Sequence, residues 1–151
     1  MLGDRKDVFL ELSQLLTGFG RVELLGTGMA DAYLETLDTV LPAGLLDEIL
    51  AAFARLPPGA GREAAVASEI LGYAKLGPVA RNLILLWYCG TWTPLPDAWR
   101  AAYGASPLDV KRVVSGQAYQ AGLQWTAAKA HPAGARQQGF ASWAAAPGSR
   151  E

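Results

Sequence analysis

The sequence predicts an all-α fold, a compact single-domain bundle of about five to seven helices followed by an extended C-terminal tail. Apolar residues recur at helical spacing along residues 8–125, and no series of alternating strands accompanies them. Glycine and proline separate these periodic segments. A chain of 151 residues fits one domain and can bury roughly 68–70% of its unfolded surface. We therefore expect a helical body over residues 1–125 and a tail over residues 126–151.

The first three predicted helices each carry one apolar stripe. The first covers residues 8–16 and stops before Gly18, which tolerates the left-handed conformation of a C′ position. The second follows Thr27 as its N-cap. The third has Pro42 at or near its first turn, where the absent N–H is harmless, and it stops at Leu56-Pro57-Pro58-Gly59. The three stripes consist of Val8, Phe9, Leu12, Leu15 and Leu16, then Met29, Tyr33, Leu34 and Leu37, then Leu45, Leu46, Ile49, Leu50 and Phe53.

The next predicted helices are bounded by glycine and proline. Residues 62–73 form a fourth helix. Pro78 begins a fifth over residues 79–89, and Gly90 ends it. A shorter helix is expected over residues 97–103. The side chains expected to point inward from the fourth helix are Val66, Ile70 and Tyr73.

Two more turns are predicted before the tail. Ser106-Pro107-Leu108-Asp109 resembles a capping box with proline at its first helical position. Residues 115–124 are expected to form the last helical turn or two. The apolar segments 22–25 and 113–114 are too short to build a sheet.

The character of the sequence changes after Trp125. Residues 126–151 hold glycines and prolines among many alanines, and no apolar period continues there. The segment nevertheless contains Phe140 and Trp143, whereas disordered segments are poor in aromatic residues. A tail with spaced aromatics usually lies along a surface, either of its own domain or of another chain. We expect this tail to dock on the surface of a partner.

Composition and charge favour a protein that covers part of its surface with a partner. Charged residues make up 18% of the chain, below the usual fraction of about 25%. An alanine-rich sequence bias explains the same number. The net charge of −1 does not predict nucleic-acid binding. Residues 1–56 carry nine acids and four bases, and residues 57–151 carry five acids and nine bases, an asymmetry that can steer docking.

The sequence contains no convincing catalytic, cofactor or metal motif. Gly26-Thr27-Gly28 lacks the third glycine of a dinucleotide loop, because that position holds Asp31, whose carboxylate repels a pyrophosphate. His131 is the single histidine and Cys89 the single cysteine, so the two cannot form a metal site without carboxylates. Cys89 is expected to pack as a small apolar group, with an interchain disulfide as the alternative. Four acids are expected at helix starts and on exposed faces, namely Glu63, Glu69, Asp97 and Asp109.

Tryptophan is the most informative residue type in this chain. All five tryptophans lie between residues 87 and 143. Such residues either form the core or supply the strongest contacts of an interface. Trp87 lies on an apolar helix, which favours the core. Trp92 and Trp143 lie beside glycine and proline, which favours an interface.

An ordered set of short segments resembles the small-subunit family of membrane-bound FAD-containing sorbitol dehydrogenases. It also resembles, more distantly, the small subunits of bacterial glucose, fructose and gluconate dehydrogenase complexes. The segments that carry the resemblance are Phe9-Leu10-Glu11-Leu12-Ser13, Leu16-Thr17-Gly18, Leu76-Gly77-Pro78-Val79-Ala80-Arg81-Asn82-Leu83, Leu86-Trp87-Tyr88, Gly90-Thr91-Trp92, Trp99-Arg100, Ala102-Tyr103-Gly104, Val113-Val114-Ser115, Ala118-Tyr119, Gly122-Leu123, Trp125, Ala130-His131-Pro132, Gly134-Ala135 and Gly139-Phe140-Ala141-Ser142-Trp143.

The resemblance implies a non-catalytic subunit that binds a flavoprotein and aids its maturation. In such complexes a large subunit of the glucose-methanol-choline type holds FAD, and a cytochrome c subunit with haem c commonly passes electrons on. This chain is then expected to bind no cofactor itself and to lie in the periplasm, associated with the membrane through the complex. The family's small subunits often carry a twin-arginine export signal, but this sequence has no Arg-Arg pair or apolar region before Val8.

The residues expected to contact the partner are Trp92, Trp125, His131, Phe140 and Trp143. The alternative is a stand-alone helical domain that binds a ligand or partner unrelated to redox chemistry. No apolar run approaches the roughly 20 residues that a membrane span requires, so we expect no transmembrane segment in this chain.

Overall fold

The computed structural model describes residues 2–129. Most of these residues are helical, which confirms the predicted all-α bundle. This part of the chain contains more helical segments than expected, because several span only one or two turns. The elements in chain order are α1 (Leu2–Thr17), α2 (Arg21–Gly26), α3 (Ala30–Val40), α4 (Leu45–Ala54), α5 (Arg62–Val66) with a π-helical turn (Ala67–Leu71), α6 (Gly77–Cys89), β1 (Thr91–Trp92), α7 (Asp97–Tyr103), β2 (Arg112–Val113), α8 (Gly116–Ala121) and α9 (Leu123–Ala127).

Helices α1 and α6 form the centre of the bundle. Helix α1 packs against α2, α3, α4 and α6, while α6 also packs against β1, α9 and the π-helical turn. Phe9 and Leu12 of α1 and Leu86 of α6 are completely buried in this core. The predicted α4 stripe is confirmed in full, since Leu45, Leu46, Ile49, Leu50 and Phe53 are all buried.

The boundaries of α6 follow the sequence signals. Pro78 lies in its first turn, and Gly90 ends it with a left-handed φ of 68°. The same conformation ends α1 at Gly18, where φ is 82°. Helix α6 is not buried on every side, however, because Leu85 is 42% exposed. The apolar run that ends at Cys89 therefore covers both the core and part of the surface.

The segment around residues 21–29 differs from the prediction. Residues 21–26 form α2, a short helix that the apolar pattern did not indicate. The Thr27 hydroxyl donates to the Leu24 carbonyl at 2.7 Å and accepts from the Met29 N–H at 3.1 Å. Met29, not Thr27, is the N-cap of α3. Thr27 thus links the end of α2 to the start of α3.

Two other local predictions are wrong. Tyr73 is 47% exposed, because the helix ends at Leu71 in a π-helical turn, so the α-helical period does not continue to that residue. No helix begins at Ser106, although its hydroxyl accepts a hydrogen bond from the Leu108 N–H at 3.2 Å. That hydrogen bond closes a turn in a loop.

A two-residue ladder joins the chain after α6 to the chain after α7. Strands β1 and β2 are antiparallel, with Thr91 opposite Val113 and Trp92 opposite Arg112. The Val114 N–H extends the pairing by donating to the Gly90 carbonyl at 2.9 Å. The ladder places residues 112–114 against the chain that leaves the end of α6.

Arg5 connects three helices at the surface. Its guanidinium donates to both carboxylate oxygens of Asp38 on α3, at 2.6 and 2.8 Å, and to Asp47 on α4 at 2.8 Å. The hydrogen bonds from Arg5 lower the pKa of Asp38 below its ordinary value. Since these carboxylates are about half exposed or more, solvent screening keeps their contribution to stability small.

Candidate partner-binding surface

Trp87 belongs to the core, as predicted. It is 1% exposed, and its indole N–H donates to the buried Ser13 hydroxyl at 2.9 Å. The Phe9 ring stacks on it with centroids 5.9 Å apart, and the Tyr33 ring meets it edge-on at 4.9 Å. One residue further on, the Tyr88 hydroxyl donates to the Thr17 carbonyl at 2.8 Å. These contacts fasten α6 to α1.

Trp92 does not lie at a surface, which corrects the expectation that it contacts a partner. Its side chain is completely buried in this chain's own core. The indole N–H donates to Oδ1 of Asp109 at 2.7 Å. A tryptophan close to glycine and proline in sequence can fill a core when an acceptor reaches its N–H. Here the acceptor is seventeen residues away in a loop, so local spacing gives no indication of it.

Asp109 is the polar centre of this region and is also a correction, since an exposed acid was expected. It is 2% exposed. Besides the Trp92 indole, its carboxylate accepts from the Leu95 N–H at 3.2 and 3.3 Å, and Nε of Arg100 lies 3.6 Å away. A buried carboxylate is costly unless such partners compensate it. The carboxylate therefore ties the loop before β2 to β1, to the chain before α7 and to α7 itself.

The loop that Asp109 holds presents apolar side chains to solvent. Leu108 is 50% exposed, Val110 is 49% exposed and Val113 is 52% exposed. Leu108 and Val110 flank Asp109 in a tight turn, in which the Val110 N–H donates to the Leu108 carbonyl at 2.9 Å. We call residues 108–113 the apolar loop. Loops carried on a rigid scaffold are the usual place for binding residues.

The apolar loop is also basic. Lys111 is exposed and Arg112 is half-buried. Neither forms a salt bridge with any residue in the described range 2–129. The surface therefore combines three apolar side chains with two positive charges. These charges can attract carboxylates of a partner.

A groove of about 460 Å³ separates α2 from α8 and α9. Phe19 and Trp125 line it together with Gln117, Gln120, Thr27 and Thr126. Trp125, one of the expected contact residues, is half-buried there. Its N–H donates to the Tyr119 carbonyl at 2.8 Å, and the two rings meet edge-on with centroids 5.5 Å apart. Helix α2 also carries the exposed side chains of Val22 and Leu25.

The other three expected contact residues cannot be placed. His131, Phe140 and Trp143 lie outside the described residues, and their roles stay predictions. Helix α9 continues to Ala127, two residues beyond the boundary expected for the helical body.

Three further features of the described residues concern metal binding, the cysteine thiol and membrane insertion. Between Leu2 and Lys129, His, Cys, Asp and Glu side chains do not gather in any group of three or more that could hold a metal ion. Cys89 is a free, half-buried thiol whose Sγ lies 3.8 Å from Oε1 of Gln124. None of the helices in this part of the chain combines the length and apolar character needed to cross a membrane.

Several segments that carry the family resemblance meet each other in the fold. Ser13 pairs with Trp87, as described above. A Cβ on Gly90 would lie 2.5 Å from the Ala118 carbonyl oxygen, and one on Gly122 would lie 2.5 Å from that of Tyr88. The end of α6 and the helices α8 and α9 therefore approach backbone to backbone. The segments that carry the resemblance therefore pack against one another in this part of the fold.

Comparison of the chain with protein-family models, curated proteins and solved structures finds no match.

We expect Asp109→Asn to lower the free energy of unfolding by about 1–2 kcal/mol. The amide oxygen can still accept from Trp92 and, at 3.3 Å, from Leu95. The amide nitrogen in place of Oδ2 cannot accept the shorter Leu95 hydrogen bond or attract Arg100. Urea unfolding followed by circular dichroism measures the loss. Hydrogen exchange should also become faster in residues 104–111.

The matched control is Asp97→Asn, which changes an exposed acid in the first turn of α7. It should cost less than about 1 kcal/mol, because the interaction with the helix dipole is weak at the surface. Equal losses in the two variants would show that Asp109 has no special role in holding the apolar loop.

Proposed function

We propose that this chain is a non-catalytic small subunit of a membrane-associated, FAD-dependent sugar or polyol dehydrogenase complex of the sorbitol type. It binds the flavoprotein large subunit and supports its maturation. The observation that supports a binding role is the apolar loop, whose conformation is stabilised by hydrogen bonds to the buried Asp109 carboxylate. The class of partner comes from the sequence resemblance.

A loop held in one conformation is suited to binding. Ordering loop residues when two proteins associate costs free energy, and a loop already ordered avoids part of that cost. Asp109 orders this loop through Trp92 and Leu95, while Leu108 and Val110 remain about half exposed. These side chains can therefore be buried by a partner without first rearranging the loop.

Charge defines the kind of surface that fits the loop. Lys111 and Arg112 adjoin the exposed apolar side chains, so the complementary surface is an apolar depression bordered by carboxylates. We assign that surface to a large subunit of the glucose-methanol-choline type. FAD belongs to that subunit, and haem c belongs to a third, cytochrome c subunit where one is present. In this proposal the complex lies in the periplasm, at the membrane.

Val110→Asp is expected to weaken binding to the large subunit by about 30-fold or more. The change places a carboxylate on an apolar contact, and a central contact is worth about 2 kcal/mol or more. The measurement is co-purification from the native membrane fraction, with flavin fluorescence read on the co-purified protein. Titration of the purified partner then gives the dissociation constant.

Leu85→Asp is the matched control, because Leu85 is also an apolar side chain about half exposed but lies on α6. It should leave co-purification unchanged, and circular dichroism should show that both variants are folded. Retention of the flavoprotein by Val110→Asp at the wild-type level would exclude the apolar loop as the contact. Co-purification of a partner without flavin would instead support the stand-alone binding domain.

A second measurement addresses catalysis. The purified chain alone is expected not to oxidise sorbitol with an artificial electron acceptor. Oxidation by the lone chain would contradict the non-catalytic assignment, whatever the result for the apolar loop.

A further inference from the structure

The groove between α2 and the α8–α9 pair lies next to the point where the described chain ends. Trp125 and Thr126 of α9 line one side of it, and Phe19 lies on the opposite side, just before α2. Helix α9 ends at Ala127, and Lys129 follows two residues later. The chain that continues from Lys129 therefore begins beside the groove.

The last described residues turn the chain at that point. Lys129 has φ of 56°, the only positive φ of a non-glycine residue within residues 2–129. A residue with a Cβ adopts this left-handed conformation reluctantly. At the end of a helix this conformation caps the last turn, so the α-helix does not continue past Lys129. The Lys129 N–H donates to the Thr126 carbonyl at 3.1 Å and closes this turn.

The groove is uncharged apart from one carboxylate. Its uncharged polar side chains are the amides of Gln117 and Gln120 and the hydroxyls of Thr27 and Thr126. Its large apolar side chains are Phe19, Trp125 and Leu123. The carboxylate belongs to Glu23, which already accepts from the Gly20 N–H at 2.9 Å. An occupant should therefore be uncharged, with aromatic side chains and backbone groups that bond to amides and hydroxyls.

The C-terminal segment of this chain has that composition. Residues 137–149 contain no charged side chain, and they include Phe140 and Trp143. Phe140 is eleven positions beyond Lys129, a distance of up to about 36 Å when the chain is extended. That length is ample for reaching a groove whose wall is α9 itself.

We propose that residues 137–149 cover this groove in the free chain, with Phe140 and Trp143 packed against Phe19 and Trp125. The sequence left open whether the tail lies on its own domain or on another chain, and a partner surface was expected. The groove lies beside the last helix, and the following chain is long enough and has the composition to fill it, which favours the chain's own domain. The apolar loop then remains the surface for another subunit.

Photo-crosslinking of the full-length purified chain tests this placement directly. A photoreactive benzoylphenylalanine in place of Phe140 is expected to crosslink to peptides containing Phe19 or Trp125, in the monomer and independently of protein concentration. Crosslinks only between two copies would assign the groove to the tail of a second chain. Crosslinks elsewhere, or none, would overturn the proposal.

Hydrogen exchange provides a second test without a bulky probe. In Phe140→Ser combined with Trp143→Ser, backbone amides of α2, α8 and α9 should exchange about tenfold faster, while those of α4 should not change. The matched control, Ala145→Ser with Ala146→Ser, should leave all of them unchanged. Equal exchange in both double variants would overturn the proposal. Since no large subunit is present, the result is independent of the proposed function.

Discussion

Trp87→Ala is expected to destabilise the fold by about 4–5 kcal/mol, because Trp87 is among the largest fully buried side chains. Removing a buried tryptophan costs about 3–5 kcal/mol through lost burial and the cavity left behind. The change also removes the indole N–H that donates a hydrogen bond to the buried Ser13 hydroxyl at 2.9 Å. Phe9 and Tyr33 lose the ring between them. Urea unfolding followed by circular dichroism measures the difference.

Since whole domains are stable by only about 5–15 kcal/mol, Trp87→Ala can leave too little folded protein to measure. Trp87→Phe then tests the same point, because it keeps a ring in the core and loses the hydrogen bond to Ser13. Its cost should be about half as large. Leu85→Ala, at an exposed site two residues away on α6, should cost less than about 1 kcal/mol. A similar cost at residues 85 and 87 would contradict the central position of Trp87.

Gly90→Ala is expected to destabilise the chain by about 3–5 kcal/mol, for two separable reasons. Gly90 has φ of 68°, a conformation that costs a residue with a Cβ about 1–2 kcal/mol. In addition, the new Cβ would lie 2.5 Å from the Ala118 carbonyl oxygen, so α8 must move away from the end of α6. Thermal and urea unfolding give the total cost.

Two other glycines separate those reasons. Gly18 has φ of 82° and open space around its absent Cβ, so Gly18→Ala should show only the conformational cost. Gly122 has an ordinary φ of −55°, but a Cβ there would lie 2.5 Å from the Tyr88 carbonyl oxygen. Gly122→Ala should therefore show only the steric cost. If Gly90→Ala costs no more than Gly18→Ala, the close approach of α6 to α8 is not a significant constraint.

The helices with the strongest local signals are the ones that the sequence predicts well. Helix α4 has its complete apolar stripe buried, and α6 runs between the proline and glycine that were expected to bound it. These signals act within four residues, through helical period and backbone conformation. The prediction fails where α2 is too short to show a period and where a π-helical turn interrupts one before Tyr73.

The candidate surface was much less predictable. Trp92 had the sequence context of an interface residue, and Asp109 that of an exposed acid in a helix start. Both are buried, because each supplies what the other needs: an indole N–H and an acceptor. The apolar loop depends on that pair, because the hydrogen bond between Trp92 and Asp109 holds the chain between α7 and β2 in place.

The sequence by itself determined the all-α class, the core faces of the longer helices and the glycine ends of α1 and α6, because these depend on neighbouring residues. Only the tertiary structure decided which tryptophans are buried and which apolar residues remain exposed. Ser13 and Trp87 are seventy-four residues apart, and Trp92 and Asp109 are seventeen apart. Such pairs depend on how the helices pack, and helical periodicity carries no information about contacts over those distances.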